Sequence, residues 1–126
     1  MNLSDEGVHH LIEQMAAAMM RQDSVAVTSF FADDAVMLAP GGKFVGKQAI
    51  FDAGDHFNQD YNNIVIVVKE VIYRDLKGVI EWSFAETRKR DGWTHVMEDA
   101  IIFHLRADGK VIYWREYFDP NQIELL

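Results

Sequence analysis

The sequence predicts an α+β fold, with helices in its first half and a long antiparallel meander in its second. Three observations carry this. Apolar residues recur at helical spacing near the start. Farther along, long β-rich stretches succeed one another, joined by DLKG, RDG and ADG turns. The 126 residues, 49% of them hydrophobic, suit one core, so a single domain over residues 1–126 is expected.

Each element has a local cause. Ser4 can cap a helix whose first turn carries Asp5 and Glu6 at the positive end of the dipole. Val8, Leu11, Ile12, Met15 and Met19 then give it one apolar side. Asp23 suits the cap of a shorter helix holding Val27, Phe30 and Phe31. Ala35 to Ala39 reads as a strand that turns through Pro40, Gly41 and Gly42 into Phe44 and Val45, a hairpin. A third helix follows Gly46, with Ile50, Phe51 and Phe57 inward. Strands are expected over 63–74, 78–88 and 93–106, and a last one from Lys110. Asp119 and Pro120 read as the cap and first residue of a closing helix. Helices set apart from an antiparallel sheet define the α+β class.

Composition removes several functions. The net charge is −8, and Lys and Arg are scattered except at Arg88, Lys89 and Arg90, so nucleic acid is not an expected partner. No apolar run approaches the roughly 20 residues that span a bilayer, so no membrane partner is expected. There is no cysteine, which removes disulfides and thiolate chemistry and fits a reducing cytoplasm, as does the acidic, polar start. His9 and His10 are adjacent on a helix and cannot face one ion, and His56, His95 and His104 lack tight spacing. Gly41 and Gly42 do not open a helix as a phosphate loop would. Neither a metal nor another cofactor is expected. The methionines read as core filler.

The last strand carries the chemistry. In GKVIYWREYFDP, alternation puts Trp114, Glu116 and Phe118 on one side. A carboxylate between two large aromatics is costly or useful. A two-residue Asp108–Gly109 turn would pair Leu105 with Ile112, Phe103 with Trp114, Ile101 with Glu116 and Asp99 with Phe118. Met97, Asp99, Ile101, Phe103, Trp114, Glu116 and Phe118 then share the more apolar, inner surface. Glu98, Ala100, Ile102, His104, Tyr113, Arg115 and Tyr117 share the outer one, which reads as an interface. Asp99 is diagonal to Glu116, and two carboxyls in a low-dielectric site should not both ionise easily. One raised acid beside one ionised acid is what acid–base catalysis requires. A satisfied ion pair is the alternative for Glu116, with Lys69 as a candidate partner.

FADDAV, FVGKQAI and WREYFDP, taken in this order, resemble the SnoaL-like and limonene epoxide hydrolase branch of the NTF2-like superfamily. The resemblance covers essentially the whole chain. It implies a cone in which a curved sheet wraps three helices around an internal pocket, and a homodimer through the outer sheet face. It also places a catalytic acid at Glu116. The pattern departs elsewhere: Trp82 and Phe84 stand where the epoxide hydrolase has an Arg and an Asp, and Met37 and Ala39 where it has a Tyr and an Asn. Asp99 replaces an apolar residue. Water addition to an epoxide by that relay is therefore not expected. Met37, Trp82, Phe84, Met97, Ile101, Trp114 and Phe118 would line a pocket for a small hydrophobic molecule. The leading reading is a lyase, isomerase or cyclase for a small hydrophobic carbonyl compound, with Glu116 and Asp99 as its acid–base groups. The rival is a non-catalytic ligand-binding or dimerisation module.

Overall fold

The computed structural model describes residues 3–119. Helix α1 (Asp5–Met20) begins where Ser4 Oγ accepts from the Gly7 amide, and buries Val8, Leu11, Ile12, Met15, Ala16 and Ala18. Helix α2 (Ser24–Ser29) is capped by Asp23, which accepts from the Ala26 amide. It stops at Phe30, so Phe31 is not helical as expected but opens strand β1 (Phe31–Ala39). Strand β2 (Gly42–Val45) completes the hairpin. Gly46 then turns at φ 91°, and its amide donates to the Ala35 carbonyl at 2.7 Å. That backbone region favours glycine, and it aims helix α3 (Lys47–Asp60) across the sheet. The meander follows as β3 (Tyr61–Arg74), β4 (Lys77–Arg88), β5 (Thr94–Leu105) and β6 (Val111–Tyr117). The closing helix expected after Asp119, from Pro120 onward, lies outside the described residues.

The strands join in the order β2-β1-β6-β5-β4-β3. Every pair is antiparallel except β1 with β6, which run parallel. The last strand therefore lies inside the sheet, with β1 on one side and β5 on the other, and both its neighbours screen it from water. The expected Phe103–Trp114 and Ile101–Glu116 pairs are present. The turn is nevertheless not the expected one. Arg106 and Lys110 flank a three-residue turn, Ala107–Gly109, with Gly109 at φ 87°. Leu105 therefore pairs with Val111 rather than Ile112. A bulge next to this pair shifts the register by one and returns every later side chain to the expected face. The ladder ends at Ala100–Tyr117, one step before the expected Asp99–Phe118 pair, so Phe118 lies half-buried just past β6.

The inner face and the helices enclose one core. Trp82, Trp114, Phe31 and Phe103 are its largest fully buried side chains. Among the described residues no helix is long and apolar enough to cross a membrane.

Candidate functional site: a carboxyl pair held by two indoles

Cross-strand register assembles the site. Trp82 on β4 stands opposite Asp99 on β5, and Phe84 opposite Met97. Ile101 faces Glu116 on β6, while Phe103 and Met37 flank Trp114 from β5 and β1. Glu116 and Asp99 therefore sit diagonally on one face, as the alternation predicts. Six of the seven expected lining residues share that face. Met37, Trp82, Met97, Ile101 and Trp114 are buried, and Phe84 is half-buried. Phe118, beyond the strand, is not fixed there by the ladder.

Each acid is bound by a tryptophan. Trp82 Nε1 donates to Asp99 Oδ2 at 3.1 Å, and Trp114 Nε1 donates to Glu116 Oε2 at 2.9 Å. The two indole rings lie 5.9 Å apart between centroids, tilted by 54°. Trp82 and Trp114 are 1% and 0% exposed, so they form the floor of the site rather than open walls. Their N–H groups are committed to the acids and cannot also serve a ligand oxygen. Asp99 is 4% exposed, and its Oδ1 has no hydrogen-bond partner. Leaving such a group unsatisfied costs about 1–3 kcal/mol, a cost that a proton or a ligand donor would relieve.

The electrostatics follow from burial. Desolvation pushes Asp99 up to about 6, against the Trp82 hydrogen bond, while neighbouring Glu98 raises it and His95 lowers it. Desolvation likewise pushes Glu116 up to about 7, opposed by Trp114 and reinforced by the charges of Asp99 and Glu86. Asp99 ionises first, so its charge falls on Glu116 and holds the second proton there. Between about pH 6 and pH 7 the pair keeps about one proton.

One sequence expectation changes. Lys69 is not the partner of Glu116. The bulge between Val68 and Glu70 turns it to the outer face, where its Nζ meets Glu98 Oε2 at 2.6 Å. Glu116 is thus bound by an indole N–H and not by a cation. A third acid on this face, Glu86, continues the alternation of Ile80, Trp82 and Phe84, a signal already present in the strand pattern. It is 7% exposed and lies beside His95.

A family described as the SnoaL-like domain matches residues 12–114. No curated protein matches the chain. Among solved structures, a protein with a ketosteroid isomerase-like fold from Catenulispora acidiphila, in complex with trimethylamine, is 16% identical with a TM-score of 0.79, covering 86% of this chain and 85% of that one. A candidate polyketide cyclase from Xanthomonas campestris is 19% identical at TM-score 0.74, covering 88% and 89%. The protein TerC, co-crystallised with polyporic acid, is 21% identical at TM-score 0.74, covering 86% and 88%. At these identities the likeness establishes the NTF2-like cone fold.

Proposed function

The chain belongs to the SnoaL-like domain family, and on that premise we propose that it is an isomerase, lyase or cyclase that moves a proton beside the carbonyl of a small hydrophobic compound. The observation that carries this reading is the unpartnered, buried Oδ1 of Asp99 next to a second raised acid, Glu116. Asp99, the stronger acid of the two, is the base. Its free Oδ1 lone pair takes the proton from the carbon next to the carbonyl. The C–H electrons move into the new C=C bond, and the carbonyl π electrons move onto oxygen. Glu116, whose Oε2 is bound by Trp114, holds its proton on Oε1 and hands it to that oxygen. In an isomerisation Asp99 then delivers its proton to a different carbon while the enol O–H proton goes back to Glu116. In an elimination the enol O–H proton likewise goes back to Glu116 as its electrons expel a β-substituent, which leaves with the proton from Asp99. The dry floor of Trp82 and Trp114 strengthens both interactions, because charge in a low-dielectric site is poorly screened.

Small ligands accompany proteins of the same fold, trimethylamine in one and polyporic acid in another, which supports a ligand-binding role. The rival reading, a non-catalytic ligand-binding or dimerisation module, draws on the near-complete burial of both indoles. A homodimer through the outer sheet face and a cytoplasmic location belong to the same proposal, the latter on the cysteine-free composition.

The test is turnover of a panel of small hydrophobic ketones and lactones, followed as exchange of the proton next to the carbonyl into deuterated water. Asp99→Asn and Glu116→Gln should each retain the fold and lose at least about 100-fold in rate, the usual worth of a positioned acid or base. The profile should be bell-shaped, with limbs near the values of Asp99 and Glu116, about 6 and about 7. Panel compounds that quench the buried tryptophans but never exchange would favour the binding module.

A further inference from the structure

Glu86 is a buried carboxyl that the proposed reaction leaves unused. It stands opposite His95 in the β4–β5 ladder, with Oε1 3.6 Å from His95 Nδ1. The pairs Glu86–His95, Phe84–Met97 and Trp82–Asp99 follow one another on the same face. Glu86 and His95 therefore lie two rungs from Asp99, toward the turn between β4 and β5. The imidazole is held from its other side. Trp93, half exposed, stacks on it with 4.9 Å between centroids and 21° between planes. A buried carboxylate beside an oriented, partly accessible histidine is an acid–base arrangement without an assigned task.

The other charges around this pair are spoken for. Arg88, at the end of β4, is bound by Asp91 through Nε and Nη2. Glu98 and Lys69 pair on the outer face. Tyr61 on β3 stacks on Phe57. The buried residues of α1 and α3 are all apolar. Among the described residues, His95 is thus the basic side chain that the inner face sets against Glu86, Asp99 and Glu116.

We propose that Glu86 and His95 are positioning residues that decide where the single proton of the Asp99–Glu116 pair resides. Protonated His95 favours charge on Asp99, and ionised Glu86 favours the proton on Glu116. This inference rests on reading Asp99 and Glu116 as the acid–base pair. The directions agree with the surroundings of each group: His95 lowers Asp99, and Glu86 raises Glu116. Glu86 itself is raised by burial and held back by His95.

The test is a site-resolved carboxyl carbon-13 NMR titration of the ligand-free protein. Glu86→Gln should lower the midpoint of Glu116, and His95→Gln should raise that of Asp99. Each shift should be about half a pH unit or more, the scale of partly screened charges roughly 10 Å apart. A merely structural pair would leave both midpoints in place or move them together, and either result overturns the inference. His95→Lys keeps a cation at every pH used and should lower the Asp99 midpoint below wild type. No lowering overturns the inference even where the glutamine variants do not fold. These titrations need no substrate, so shifted midpoints in a protein that exchanges no panel compound would sink the proposed reaction alone.

Discussion

At Asp99 and Glu116 a stability prediction follows from the same burial that shapes the chemistry. Their values of about 6 and about 7 lie above the roughly 3.9 and 4.3 of an unfolded chain. Between those limits the folded protein holds protons that the unfolded chain has released, so stability falls as pH rises through the window. At about 1.4 kcal/mol per unit, the pair accounts for a loss on the order of a few kcal/mol by pH 8. Asp91 and Asp108 act in the opposite sense. Hydrogen bonds from Arg88 and Arg106 hold them at about 2, so their stabilisation is lost only below roughly pH 4. The melting temperature should therefore drop between about pH 4 and pH 7 in the wild type and drop clearly less in an Asp99→Asn, Glu116→Gln double variant, where the raised Glu86 remains. Equal slopes by circular dichroism would mean that the two acids are not the buried titrating groups. The facing of Glu116 and Asp99 was legible because strand alternation needs only the sequence. Their indole donors were not, because a side-chain hydrogen bond, whether across strands from Trp82 to Asp99 or along one strand from Trp114 to Glu116, depends on rotamers that packing selects.

At the level of elements, the glycine of DLKG has a different use from the one its motif suggests. The chain turns at Asp75 and Leu76, whose φ angles are 51° and 69°, while Gly78 lies within β4 opposite Tyr73 and Phe103. A Cβ on Gly78 would run into the Phe103 ring and come within 2.7 Å of the Ile72 carbonyl oxygen. Phe103 is 0% exposed and cannot step aside without disturbing the core. Gly78→Ala should cost about 1–3 kcal/mol through overpacking, measured by urea unfolding. A neutral result would mean that the β3–β4 hairpin gives way more easily than its packing implies. The β5–β6 hairpin shows how far turn reasoning reaches. Its loop is one residue longer than Asp108–Gly109 chemistry indicates, and the bulge beside Leu105 absorbs the difference. Strand pairing at Trp114 and Glu116 follows the apolar pattern, since a slip would drive the whole inner set into water.

For the whole molecule, the outer sheet face is the expected contact between copies. Val67, Val79, Val96 and Tyr117 are among its exposed apolar residues, and Ile102 lies among them opposite Val79 and Arg115. Sedimentation equilibrium should give the mass of two chains, and Ile102→Lys should return the mass of one with the fold intact. A monomeric wild type at all concentrations would remove the dimer. Residue order and composition suffice for the α+β class, the order of helices and strands, the inner facing of Glu116 and Asp99, and the lack of thiol chemistry. These depend on local periodicity, capping and composition. Tertiary structure alone decided the parallel β1–β6 pairing, the commitment of both indoles to the acids, the turn of Lys69 toward Glu98 and the place of Glu86 beside His95. Most of these join residues on different strands or hinge on a bulge, and the Trp114–Glu116 contact within β6 depends on rotamers set by the surrounding core, so no local pattern encodes them.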